Sequence, residues 1–398
     1  MDLKVTIEAW GGFKVFDFIC VYCLVFLLKE FITINLNVNN NLYFLLFLLL
    51  GIVTLIGGLA SEFPDKTYLN VVKTCTIFIF GRFLLTEIYK DPTFHYRAIK
   101  ALKVAYFVSL AFLLLQVVVG LKLTFYPSLA PNTVDPVFKT IRYPGVFYDS
   151  QASGQFLAMG SFLFLYFEKN APRKTAVLNY LVFAIAVAGV ILAGSRAALG
   201  GLVLGLVVVI MLGSAQYRLY GSIVIGAGLI AYLVFTPSSG IFERAGNISE
   251  DYSFRASIWK EALQIAKKHP YLGIGSNNYQ NYIMRHVQDQ YLEVENNELV
   301  YFTQPENGYL KIMVELGYTG FAIFVLFLAI PILKGLINFF TGVYDRRVLL
   351  LIAALISWMV AFYTVYTISE FRLLIMITSM LILIISFPRN DYDANSAA

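Results

Sequence analysis

Long apolar runs and short polar connections alternate along almost the whole chain. Mostly apolar stretches lie near 14–31, 42–60, 68–89, 101–121, 151–167, 175–194, 197–213, 219–235, 320–338, 347–367 and 371–387. A helix of ~20 mostly apolar residues crosses a bilayer core. Within lipid only helices and closed barrels satisfy their own backbone polar groups. These runs are continuous rather than alternating, which excludes barrel strands. The pattern predicts an all-α, polytopic integral membrane protein with about eleven transmembrane helices.

One long polar stretch interrupts the series and divides the chain into three parts. Residues 1–235 are N-terminal transmembrane helices, 236–319 a large external loop domain, and 320–398 C-terminal transmembrane helices. Within the polar stretch, Ile258, Trp259, Ala262, Leu263, Ile265 and Ala266 recur at helical spacing, with Lys260, Glu261, Lys267 and Lys268 between them. The spacing predicts an amphipathic helix capped by Asp251 or Ser253, starting near Phe254 and ended by Pro270. A turn-rich stretch from Gly273 to Tyr279 follows. A second helix is expected from near Pro305 to Gly317.

Composition narrows the function. Apolar residues make up 59% of the chain and charged residues 14%. That balance excludes a disordered chain, a nucleic-acid binder and a typical cytosolic enzyme. The three cysteines rule out a disulfide-stapled secreted domain. Cys20 and Cys23 have a C-x-x-C spacing but sit in an apolar run, where packing explains them better than redox or zinc chemistry. The three histidines are far apart in sequence, so no metal site is expected. No P-loop follows a strand, so ATP is not the energy source. No cleavable signal peptide is evident at the N-terminus.

Charge orients the chain. Lys90, Arg97, Lys100, Lys103, Lys169, Arg173, Lys174, Arg218, Lys334, Arg346, Arg347 and Arg389 all fall on one face if the runs alternate. The positive-inside rule makes that face cytoplasmic. The opposite face receives 122–150, the turn at Gly194–Arg196, the 236–319 segment and the turn at Glu370. Chemistry is expected there.

Arg196 is the most informative single residue on that face. It stands among small residues at the edge of an apolar run, where a charge is costly and functional by default. Its planar fork suits a phosphate or pyrophosphate. Arg255, at the expected start of the amphipathic helix, reads as a second anion contact, because a helix N-terminus already favours anions. Arg142, Arg244 and Arg285 share the face, and each alone reads as a surface charge. Glu306, followed by Asn307, is either a general base or an ordinary acidic residue in a first helical turn. Gly201 and Gly205 form a G-x-x-x-G that predicts helix packing.

Three segments carry a family resemblance. Gly194-Ser195-Arg196-Ala197-Ala198 resembles an S-R-[GA]-A segment at a span start. Arg255-Ala256-Ser257-Ile258-Trp259 through Leu263, followed by Pro270-Tyr271-Leu272-Gly273-Ile274-Gly275, resembles R-x-x-x-W-x-x-A-L and P-x-x-G-x-G. Glu306-Asn307-Gly308-Tyr309-Leu310 with Glu315-Leu316-Gly317-Tyr318-Thr319-Gly320 is similar to H-N-x-Y-L-x(4)-E-x-G-x-x-G. In order and spacing, they resemble the bacterial O-antigen ligase/polymerase family, a group of GT-C-like membrane glycosyltransferases that includes the Wzy-type polymerases.

The resemblance implies an inner-membrane enzyme acting on the periplasmic face. Donor and acceptor are undecaprenyl-diphosphate-linked glycans in a polymerase, whereas a ligase transfers glycan to lipid A-core. Neither cofactor nor metal is required. Besides the lipid bilayer, a chain-length regulator and the flippase of the same pathway are the expected partners, and no nucleic acid is expected. The product is an O-antigen, a capsule or an exopolysaccharide. Carried over by motif, Arg196 and Arg255 hold the diphosphate, Glu306 is the catalytic base, and Asn307 and Tyr309 face sugar or support the site. Arg142 and Arg285 are further expected substrate contacts. Glu306 stands where ligases carry histidine, a departure that favours the polymerase. The alternatives are the ligase and, from another class, a flippase or transporter of lipid-linked sugars.

Overall fold

The computed structural model of the protein describes residues 38–126, 140–167, 172–213, 248–287, 291–295, 298–301 and 304–389, with single positions at 22, 130, 133, 134, 218 and 226. Its helices are α1 (Val38–Leu59), α2 (Pro64–Lys90), α3 (Phe94–Val119), α4 (Ser150–Ser161), α5 (Arg173–Leu192), α6 (Arg196–Leu212), α7 (Ile248–Lys268), α8 (Tyr279–His286), α9 (Gly308–Phe340), α10 (Val348–Phe362) and α11 (Phe371–Ile385). The protein is a helical, polytopic membrane protein. Helices α1, α3, α5 and α9 are long and apolar enough to cross a bilayer, and α6, α10 and α11 are shorter apolar helices. Nine of the eleven apolar runs coincide with described helices. The runs near 14–31 and 219–235 fall almost wholly outside the described residues.

A single antiparallel hairpin, β1 (Tyr291–Glu295) with β2 (Glu298–Tyr301), adds the one sheet among the described residues. Helical periodicity gave no sign of it. The local signals are Asn296-Asn297 between two short runs with alternating apolar residues, since asparagine tolerates the left-handed backbone of a tight turn.

The chain forms two compact units: Met1–Pro92 with Ile258–Pro305 and Tyr309–Pro331, and Thr93–Ser257 with Glu306–Gly308 and Ile332–Ala398. In the first unit, α1 packs on the middle of α9 through aromatic rings, with Tyr43 stacked on Phe327 at 4.7 Å. A second apolar core joins Ala262, Ile265 and Ala266 of α7 to Tyr282 and Ile283 of α8 and to Leu310 and Val314 of α9. The motif Pro270–Gly275 lies along the break in α9. There Ile274 N–H donates to the Val314 carbonyl at 3.1 Å, Gly275 N–H to that of Glu315 at 3.0 Å, and Tyr318 N–H to that of Pro270 at 2.7 Å. Gly273 and Gly317 both have φ of +68°, and a Cβ on either would strike the opposing backbone. Two of the sequence motifs are therefore the halves of one backbone clasp. Buried Glu315 accepts from Tyr279 N–H at the start of α8, with Lys311 Nζ 3.7 Å away. Buried Asn278 ties the same turn to the α1–α2 connection by donating to Ser61 Oγ at 2.7 Å.

In the second unit, α4 is central and nearly all its residues are buried. Its 12 residues continue into a 3-10 turn over Phe162–Leu165. Together they rise about 26 Å, close to the ~30 Å of a hydrocarbon core. Small residues let neighbours approach. Gly160 lies under the Tyr106 ring, Gly154 against Ser195, and Gly201 and Gly205 of α6 against the α10 backbone. The G-x-x-x-G thus packs helices as its pattern predicts. One end of this unit gathers His95, Lys103, Tyr166, Arg347 and Phe387: Lys103 Nζ donates to the Tyr166 carbonyl at 2.8 Å, and Arg347 lies 5.5 Å over the Tyr166 ring. The other end gathers residues 120–126 and 140–149, the 193–196 turn and the start of α11. There Tyr143 N–H donates to the Leu192 carbonyl, and Arg372 to that of Val146.

Candidate active site

Glu306 sits in the loop before α9 with φ of +50°, a left-handed backbone that few residues other than glycine adopt. Pro305 fixes the chain before it. Two residues later, Gly308 lies flat on the Phe362 ring, where a Cβ would come within 2.6 Å of three ring carbons. Glu306 is thus held from both sides in a conformation it would not choose alone.

The partner of Glu306 is Arg255, with Nη2 to Oε2 at 3.8 Å and both side chains about a quarter exposed (29% and 25%). That is longer than a charge-assisted hydrogen bond, for which ~2.7–2.9 Å is usual. A partly exposed pair of this kind contributes about 0–1 kcal/mol. It leaves the guanidinium fork and the carboxylate lone pairs open to a third group. Burial pushes the Glu306 carboxyl up to about 7, against the pull of Arg255, and the negative charge of Asp149 adds to the rise. Half-ionised near neutrality, such a carboxyl can accept a proton from a hydroxyl.

Arg255 does not open its helix. α7 begins at Ile248, six residues before the expected Phe254, so Arg255 lies about two turns inside. The N-terminal contribution assigned to it belongs to Arg196. That residue is the first of α6, and Ser195 caps the helix by accepting from Ala198 N–H at 3.3 Å. A cation at this end opposes the helix dipole, which costs about 0.3–1 kcal/mol unless an anion joins it. Gly194, with φ of +72°, lets the aliphatic stem of Arg142 lie against this turn. Asp149 caps α4 by accepting from Gln151 N–H at 3.0 Å. α4 therefore links the two parts of the site: its cap bears on Glu306, and its Gly154 abuts Ser195.

The remaining expected residues are placed differently. Asn307 is buried beside Glu306. Tyr309, the second residue of α9, belongs to the first unit. Arg285 is also in the first unit, 3.3 Å from Glu62 and 5.9 Å over Phe63. Arg244 lies outside the described residues. Sequence reasoning passed over Asp149, although an aspartate before Ser150-Gln151-Ala152-Ser153 at the start of an apolar run is a helix-cap signal. Arg372, which the sequence did not single out as a site residue, reaches Tyr126 and Val146.

Fold and site together define a class: a polytopic helical membrane protein with a cation at a helix start and an arginine–glutamate pair near a span end. Residues 181–325 match the family model described as O-antigen ligase, a segment holding Arg196, Arg255, Glu306 and Asn307. Over that segment the chain is similar to the O-antigen ligase/polymerase family, and the likeness points to a glycosyl-transferring enzyme. No curated protein matches the chain significantly.

Proposed function

We propose that the protein is a polysaccharide polymerase that joins undecaprenyl-diphosphate-linked repeat units at the periplasmic face of the bacterial inner membrane. The observation that carries this reading is the Arg255–Glu306 pair, a loose ion pair on a strained backbone with a carboxyl poised near neutrality. In the reaction, Glu306 takes the proton of an acceptor hydroxyl. That oxygen forms the new glycosidic bond as the bond from the anomeric carbon to the diphosphate breaks. The diphosphate leaves on its polyprenyl tail with negative charge to be stabilised, and Arg196 and Arg255 supply cations for it. When the diphosphate draws Arg255 away, Glu306 loses the one neighbour that lowers its pKa and becomes a stronger base. Asn307 and Arg142 support this centre. Tyr309 and Arg285 are proposed further substrate contacts.

The glutamate favours polymerase over ligase, because ligases of the family carry histidine at that position. Surface glycans of a deletion strain separate the two. A single capped repeat on lipid A-core, or lipid-linked single repeats accumulating without capsule, is the expected result. Long polymer stranded on undecaprenyl diphosphate, with bare lipid A-core, would make the protein a ligase. Unchanged repeats trapped on the cytoplasmic side would make it a flippase.

A further inference from the structure

Residues 120–126 and 140–149, the latter ending at Asp149 beside the proposed catalytic pair, are more firmly held than a surface connection requires. Gln116, fully buried in α3, spends its amide on it: Nε2 donates to the Leu123 carbonyl at 2.9 Å, and Oε1 accepts from Gly145 N–H at 2.8 Å. Arg372 holds it from α11. Its guanidinium donates to the Val146 carbonyl and to the Tyr126 hydroxyl, and lies 4.5 Å from the Phe125 ring centre and 5.6 Å from that of Phe147. Gln116 and Arg372 thus hold residues 123–126 and 145–147, beside which aromatic side chains are exposed. Phe125 is 43% exposed and Tyr148 is 37% exposed. Tyr126 meets Phe125 at 5.7 Å and Tyr148 at 6.0 Å, edge to face, and the Arg372 guanidinium lies over the Phe125 and Tyr126 rings, so the ring angles are fixed and Tyr148 is the exposed tyrosine. Tyr148 directly precedes Asp149, whose charge bears on Glu306.

We infer that Tyr148 and Tyr126, with Phe125 beside them, form a stacking platform for a pyranose ring of the repeat-unit glycan. The inference rests on the glycosyl-transfer reading above and assigns that site a sugar subsite. The C–H face of a pyranose covers an aromatic face, and the tyrosine hydroxyls meet the ring's own hydroxyls; amphipathic rings of this kind join apolar contact to a polar handle. Tyrosines of a membrane-interface belt need only reach the headgroups. They do not call for a buried glutamine and an arginine to immobilise the backbone that carries them. Rigid support lowers the entropy lost when a flexible glycan docks.

The test uses the full-length protein in detergent and the glycan released by mild acid from the parent strain's own lipid-linked repeats. Binding of this lipid-free glycan and the kinetics of polymerisation are measured side by side. Tyr148→Ala is expected to weaken glycan binding and raise the acceptor KM about tenfold, as loss of one stacking contact allows, with kcat held. Tyr148→Trp is expected to restore both. Tyr148→Leu reads the same if the alanine variant fails to reach the membrane. Wild-type binding and KM in both the alanine and leucine variants would overturn the platform. Full activity in Glu306→Gln would instead sink the catalytic reading, and it would do so without touching glycan binding.

Discussion

Glu306 bears a backbone cost that an ordinary loop residue avoids. A non-glycine side chain at positive φ costs on the order of 1–3 kcal/mol and persists only where its surroundings over-determine it. Here Pro305 and the Gly308–Phe362 contact do so. Glu306→Gln keeps the shape and removes the basicity, so polymer formation should fall at least about a hundredfold, within the usual range for loss of a general base. Because the carboxyl titrates near 7, the wild-type rate should fall about tenfold per pH unit below that point and level off above it. The same shift has a stability consequence. The folded protein holds this proton up to about 7, while the unfolded chain loses it near 4.5, so stability falls as pH rises through that window. Thermal melts across pH should show Glu306→Gln flattening the slope. At the cations, Arg196→Ala and Arg255→Ala should each abolish polymer while leaving protein in the membrane, read by a glycan gel and an immunoblot of the same fractions. Normal polymer from both would remove the diphosphate clamp.

Among the elements, the clasp between Pro270–Gly275 and the break in α9 decides where the turn between α7 and α8 lies against α9. Both sides are main chain, and both need a glycine at the contact. Gly317→Ala places a Cβ against the Tyr271 carbonyl at positive φ, which should cost about 1–3 kcal/mol. A lowered melting temperature in detergent is the expected reading, and an unchanged one would mean that the clasp opens freely. α4 is the second decisive element. Its run of small residues reads in the sequence as an ordinary span, but only close packing turns those residues into the link between Glu306 and the Ser195 turn. The start of α7 shows the opposite limit. Cap signals at Asp251 and Ser253 were legible, yet the helix runs on to Ile248, because a capping preference of about 1 kcal/mol is readily outweighed by further helical turns.

For the whole molecule, the alternation of apolar runs sorts the charged loops onto two faces, and the second unit follows that sorting. Lys103, Arg347 and their neighbours meet at one end, and residues 140–149 meet the 193–196 turn and Arg372 at the other. Single cysteines labelled from outside should therefore react at position 148 and stay protected at position 97; the reverse would invert the topology. The sequence alone determined the membrane class and helical content, because a bilayer admits few solutions for long apolar runs. It also marked Arg196, Arg255 and Glu306, because a charge at a span edge is conspicuous and motifs are local. Only the tertiary structure decided that Arg255 faces Glu306, that Asp149 bears on the pair, that Arg285 pairs with Glu62, and that two distant motifs are halves of one clasp. Those relations join residues tens to hundreds of positions apart. They depend on packing and burial, which leave no local periodic trace in the chain.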